Sequence, residues 1–154
     1  MGQVIKFAAQ QRKTRSAVAL PKHPTVLIAD DNDRLREILV QHLHHQGYRV
    51  RTAGDGKAAL AILAKEEVHV LLLDLQLPEL DGFTVLRHVR DERRGPFPHV
   101  IAMSRLSSGD QQEKAFALAA DDFLAKPFFL THLSARLRIF MCRYWPGNVP
   151  DQSA

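Results

Sequence analysis

The chain has 154 residues, 45% of them apolar, and a net charge of +4. That supports one ordinary core and is short for two domains, while its longest apolar runs, such as Val68 to Leu73, fall far below the roughly 18–20 residues of a membrane-spanning helix. The charge is no argument for nucleic-acid binding, because residues 1–24 hold Lys6, Arg12, Lys13, Arg15 and Lys22 and no acid, which leaves the remainder slightly negative.

Those spread charges read as a solvated, flexible basic leader over 1–24. The start lacks the apolar stretch followed by small residues that marks a secretory signal, so a cytoplasmic chain is expected. Cys142 is the only cysteine, cannot form an internal disulfide, and reads as a small residue on the last helix.

Thr25 to Ala29 is a short apolar, β-rich run that meets Asp30-Asp31-Asn32-Asp33, the pattern of a buried strand entering a polar loop. Leu35, Ile38, Leu39 and Leu43 then recur at helical spacing, with Asn32 or Asp33 as the cap and Gly47 at the end. His42, His44 and His45 lie on this helix; only 42 and 45 share a face, and a solvated surface is expected rather than a metal site. Tyr48 to Ala53 reads as a second strand and Asp55 to Lys65 as a second helix. Val68 to Leu73 is the most apolar strand and therefore the central one.

Pro78 to Gly82 makes a turn, after which Phe83, Val85, Leu86 and Val89 offer a helical face that ends before Gly95-Pro96-Phe97-Pro98. His99 to Met103 is a fourth strand ending at Ser104. Ser107 or Ser108 can cap a helix running to Leu118, Asp122 to Ala125 is a short fifth strand, and Leu130, Leu133, Leu137 and Phe140 line a last helix. Arg136, Arg138 and Arg143 on that helix give a basic face that suits dimerisation or water equally. The end, 144–154, has no periodicity and is expected to be irregular.

Five strands alternating with five helices require a parallel sheet with right-handed crossovers and helices on both faces. The predicted fold is an α/β, flavodoxin-like doubly wound (βα)5 domain. In such sheets ligands bind beyond the carboxyl ends of the strands. Here those ends are Asp30-Asp31, Asp74, Ser104 and Lys126-Pro127. Three crowded carboxylates raise one another's pKa unless a cation compensates, and their oxygens suit a hard ion such as Mg²⁺. A lysine and a serine hydroxyl on the same rim can bind phosphoryl oxygens, so the set suits phosphoryl transfer. Each residue has a plainer use, as a helix cap, a surface ion pair or a loop closure. Their coincidence at four strand ends argues against the plainer set.

Val26-Leu-Ile-Ala-Asp-Asp31, Leu71-Leu-Leu-Asp-Leu-Gln-Leu-Pro78, Asp81-Gly82-Phe83, Ser104 and Asp121-Asp-Phe-Leu-Ala-Lys-Pro-Phe128 resemble, in order and spacing, the receiver domains of two-component response regulators. The match runs from about Thr25 to Arg143, and the resemblance implies a sheet order of 2-1-3-4-5. It further implies that Asp74 is the phosphoacceptor, that Asp31 binds Mg²⁺ directly and Asp30 through water, and that Asp74 and the Gln76 backbone carbonyl complete the protein ligands, with Mn²⁺ able to substitute. Ser104 and Lys126 would bind the phosphoryl oxygens, and the peptide between Lys126 and Pro127 would be cis. Ser104 and Phe123 would form the switch that remodels the surface of the fourth helix, fifth strand and fifth helix, although Phe123 reads equally well as an ordinary core ring.

The implied partners are a sensor histidine kinase or phosphotransfer protein, a downstream protein or output domain, and a second copy docked through that same surface. Direct nucleic-acid binding and a membrane span are not expected. The chain would be a phosphoacceptor with self-catalysed transfer and autodephosphorylation, not a conventional enzyme. A phosphatase with an aspartyl nucleophile on a similar fold would carry an acid where Gln76 stands.

Two positions depart from the family pattern. Arg105 follows Ser104 where a small residue is usual, so it is expected to modulate access, and it is the one feature favouring an interaction module that works without phosphate. Ala119 replaces a common glycine and implies a less permissive turn. Gln76 and Leu106 occupy positions that tune phosphoryl lifetime in the family. The residues after Arg143 hold no recognisable output domain, which leaves a stand-alone protein and the leading part of a longer regulator both open.

Overall fold

The computed structural model describes residues 21–92, 98–105 and 109–144. Most of the basic leader, the Gly95-Pro96-Phe97 breaker, Leu106, the caps expected at Ser107 or Ser108, and the end from 145 lie outside the described residues. The elements run β1 (Thr25–Ala29), α1 (Asp33–His45), β2 (Arg49–Ala53), α2 (Gly56–Lys65), β3 (Val70–Asp74), α3 (Gly82–Asp91), β4 (His99–Ser104), α4 (Gly109–Ala117), β5 (Asp122–Ala125) and α5 (Leu130–Tyr144). The sheet is parallel throughout in the order β2-β1-β3-β4-β5, as the alternation and the resemblance predicted. β3 is central and every one of its residues is buried.

Side chains in a strand alternate between faces, and here the alternation divides the interior into two cores. Leu27, Ala29, Leu71, Leu73, Val100, Ala102 and Phe123 meet Ala59, Val85, Leu86, Val89 and Ala115 from α2, α3 and α4. Val26, Ile28, Val70, Leu72, Ile101, Met103 and Leu124 meet Leu39 and Leu43 of α1 and Leu133, Leu137, Phe140 and Met141 of α5. Fully burying each of the larger aliphatic side chains contributes about 1.5–3 kcal/mol, so strands apolar on both faces belong inside such a sandwich.

The helices that follow β1, β2 and β3 all start on a side-chain cap. Asn32, Asp55 and Asp81 accept from the backbone N–H of Leu35, Ala58 and Thr84 at 3.0, 2.7 and 2.8 Å. Of the two caps open to α1, Asn32 is therefore the one used. Gly82 explains how closely α3 approaches the strand it follows, since a Cβ there would collide with the carbonyl oxygen of Asp74. The first turn of α3 thus rests on the backbone that presents Asp74.

Candidate functional site

Parallel register brings the polar strand ends to one level. Ala29 pairs with Leu73, Asp74 with Met103 and Ser104 with Ala125. One step further along, Asp30 comes beside Asp74, and the Lys126 backbone N–H donates to the Ser104 carbonyl (2.8 Å). The Lys126–Pro127 peptide is cis.

Asp30, Asp31 and Asp74 each present a carboxylate oxygen within 4.8 Å of the others. Asp30 is fully buried, Asp74 is 5% exposed and Asp31 is open to solvent. Lys126 Nζ donates to Asp74 Oδ2 (3.0 Å) and to Asp30 Oδ2, so one ammonium compensates two buried acids. Breaking such a pair by removing one partner is costly, about 3–5 kcal/mol, because the other charge stays buried. Asp74 Oδ1 also accepts from the Gln76 backbone N–H (2.9 Å). Burial pushes the Asp74 carboxyl above the ordinary aspartate range; the Gln76 N–H and Lys126 oppose that rise, and neighbouring Asp30 adds to it.

The donor set is all oxygen and anionic, with one exposed member through which an ion can enter, which fits a hard divalent cation and not a soft one. Ser104 is fully buried at the end of β4, and Arg105 beside it is exposed. Phe123 is 8% exposed and packs in the core beneath α2, α3 and α4, so its ring lies inward.

Three polar arrangements were not legible in the sequence. Arg36 reaches back from α1, with Nη1 donating to the Asp30 backbone carbonyl (2.6 Å) and Nη2 pairing with Asp33. His42 corrects the expectation of a solvated face: its Nε2 lies 2.7 Å from Ser134 Oγ of α5, and Gln46 Nε2 donates to the same oxygen (2.9 Å). His44 and His45 are exposed as expected. Arg90 donates to the carbonyls of Ala119 (2.7 Å) and Pro98 (3.1 Å) and to Asp121 Oδ2 (2.7 Å). Apolar periodicity carries no signal for such long-range polar links. Arg136, left open between dimerisation and water, is half-buried and lies 3.3 Å from Asp122 within the chain.

A doubly wound parallel sheet with three acids, a lysine and a serine hydroxyl on its carboxyl rim defines a flavodoxin-like α/β domain. The chain belongs to the response regulator receiver domain family, whose model matches residues 26–138, and is a receiver domain of two-component signalling. It is 39% identical over 135 residues to the transcriptional activator protein PfeR of Pseudomonas aeruginosa, covering 88% of this chain and 43% of that protein. It is 35% identical over 120 residues to response regulator RR06 of Streptococcus pneumoniae, covering 78% and 54%. The chain therefore spans about half the length of these curated relatives. Among solved structures, the receiver domain of Francisella response regulator 1452 superposes with a TM-score of 0.71 at 29% identity, covering 79% of this chain and 98% of that one. Chemotaxis protein CheY4 of Vibrio cholerae also gives 0.71 at 29%, covering 76% and 98%. Among the described residues, no helix is long and apolar enough to cross a membrane.

Proposed function

We propose that Asp74 is the phosphoacceptor, charged by a sensor histidine kinase or a phosphotransfer protein and read by a downstream partner or output domain. The observation that carries this is the single ammonium of Lys126 shared between Asp30 and Asp74 inside a cluster of three carboxylates at the sheet's carboxyl rim. An Oδ atom of Asp74 would form a bond to phosphorus as the donor's bond to phosphorus breaks, with the bonding pair leaving on the donor. Phosphoryl transfer needs little from a protein beyond alignment and charge neutralisation.

Asp30, Asp31, Asp74 and the Gln76 backbone carbonyl are the groups that would hold Mg²⁺, or Mn²⁺ in its place. When bound, the ion supplies neutralisation of phosphoryl charge. Lys126 would exchange its bond to Asp74 for one to a phosphoryl oxygen, and the Ser104 hydroxyl would donate to another. Arg105, exposed beside Ser104, would modulate the approach of the donor. Ser104 and Phe123 would carry the switch to the face made by α4, β5 and α5, which is also the surface proposed for a homodimer.

The test is incubation with acetyl phosphate and Mg²⁺ followed by intact-mass measurement. One phosphoryl group is expected on the wild-type protein, and none on Asp74→Asn or with the metal chelated. A folded wild-type protein that gains no mass would overturn the proposal and leave an interaction module that works without phosphate.

A further inference from the structure

Every backbone and carboxylate group of Asp30 is committed. Its N–H donates to the Ala53 carbonyl (3.1 Å), its Oδ1 accepts from Asn32 N–H (2.9 Å), its Oδ2 faces Lys126, and its carbonyl accepts from Arg36 Nη1 (2.6 Å). The carbonyl bond matters beyond Asp30. It belongs to the peptide that joins Asp30 to Asp31, and a peptide is planar, so fixing its oxygen fixes the plane and the direction in which the Asp31 Cα leaves it. Asp31 is the exposed member of the acid cluster. Burial constrains Asp30 and Asp74, whereas Asp31 depends on its backbone for placement.

The guanidinium is itself held. Nη2 pairs with Asp33 in the first turn of α1, and a Cβ at Gly54 would lie 3.4 Å from Nη1, so the loop after β2 lies close to the guanidinium. Arg36 keeps only 20% of its side-chain surface. A planar fork with two nitrogens can meet a carbonyl and a carboxylate together, which a lysine cannot do in one geometry.

We propose that Arg36 is a positioning residue for the divalent-cation site: by clamping the Asp30–Asp31 peptide it aims the Asp31 carboxylate and so sets the affinity for Mg²⁺. This rests on the reading of Asp30, Asp31 and Asp74 as metal ligands. It also makes a prediction opposite in sign to simple electrostatics. Removing a cation near an acidic site strengthens divalent binding through space, whereas releasing the clamp weakens it.

The experiment titrates the unphosphorylated full chain with Mn²⁺, followed by water-proton relaxation, with Mg²⁺ competition for its affinity. Phosphorylation by acetyl phosphate is then measured as a function of Mg²⁺. Arg36→Ala is expected to weaken metal binding about tenfold, the effect of one lost charge-assisted hydrogen bond, with the rate at saturating Mg²⁺ within about twofold of wild type. Arg36→Lys, which keeps the charge and loses the fork, is expected to fall between. Unchanged or tighter metal binding by folded Arg36→Ala overturns the proposal. Should that variant fail to fold, Arg36→Lys decides, and an affinity equal to wild type overturns it. If wild-type protein fails to bind the ion, or Asp31→Asn binds it as tightly as wild type does, the metal reading itself has failed; if wild type binds, Asp31→Asn is weakened and the Arg36 variants match wild type, only the positioning role has.

Discussion

Asp121 shows how one half-buried acid, its side chain 11% exposed, can be kept ionised. Burial works against its charge, but His99 and Arg90 and the hydrogen bonds from Val100 N–H (2.8 Å) and Arg90 outweigh it, and its carboxyl is held below the ordinary aspartate range. A carboxyl depressed on folding adds stability that is present above its unfolded pKa of about 3.9 and is lost as pH falls through the folded value. Asp121→Asn is therefore expected to cost about 2–3 kcal/mol near neutral pH, because it leaves Arg90 without its anion. The gap between the melting temperatures of variant and wild type should shrink once the pH drops below about 4. A gap that stays constant down to the acid-unfolding region would show that the carboxylate's charge contributes nothing.

At the scale of elements, the turn between α4 and β5 holds a conflict between residue type and backbone. Ala119 has φ +67°, a left-handed conformation that disfavours any Cβ, and it lies exposed. Its carbonyl is the one that Arg90 Nε grips, so a side chain from α3 helps hold the turn that a glycine would adopt freely. Ala119→Gly removes a strain of about 1–2 kcal/mol and adds about 0.5–1 kcal/mol of unfolded-state entropy. The expected net gain is about 0.5–1 kcal/mol, seen as a higher urea midpoint at an unchanged slope. A lower midpoint would mean that the methyl group packs better than its exposure implies. The same element carries Phe123 into the core and delivers Lys126 to the rim, so the turn lies directly upstream of the proposed switch.

Across the whole molecule, the two faces of the sheet carry different duties. α1 and α5 are tied by His42, Gln46 and Ser134, and α3 is tied to the starts of β4 and β5 by Arg90. The surface proposed for the switch includes two helices that each carry an exposed apolar side chain, Phe116 on α4 and Ile139 on α5. Saturation with beryllium fluoride and Mg²⁺ is expected to raise the sedimentation coefficient of the full chain, and Ile139→Asp to return it to the unliganded value. A species of unchanged size at high protein concentration would argue for a partner other than a second copy.

The alternating elements, the central place of β3 and the polar groups at four strand ends were legible along the chain, because apolar periodicity and strand-terminal polar residues are local signals. Tertiary structure alone decided that Lys126 joins Asp30 and Asp74 across separations of 96 and 52 residues, that Arg36 turns back onto the acidic loop, and that His42 faces Ser134 instead of water. Those choices depend on the direction of individual long side chains once the sheet has set its register, and a hydrogen bond between distant residues leaves no periodic trace in the chain that forms it.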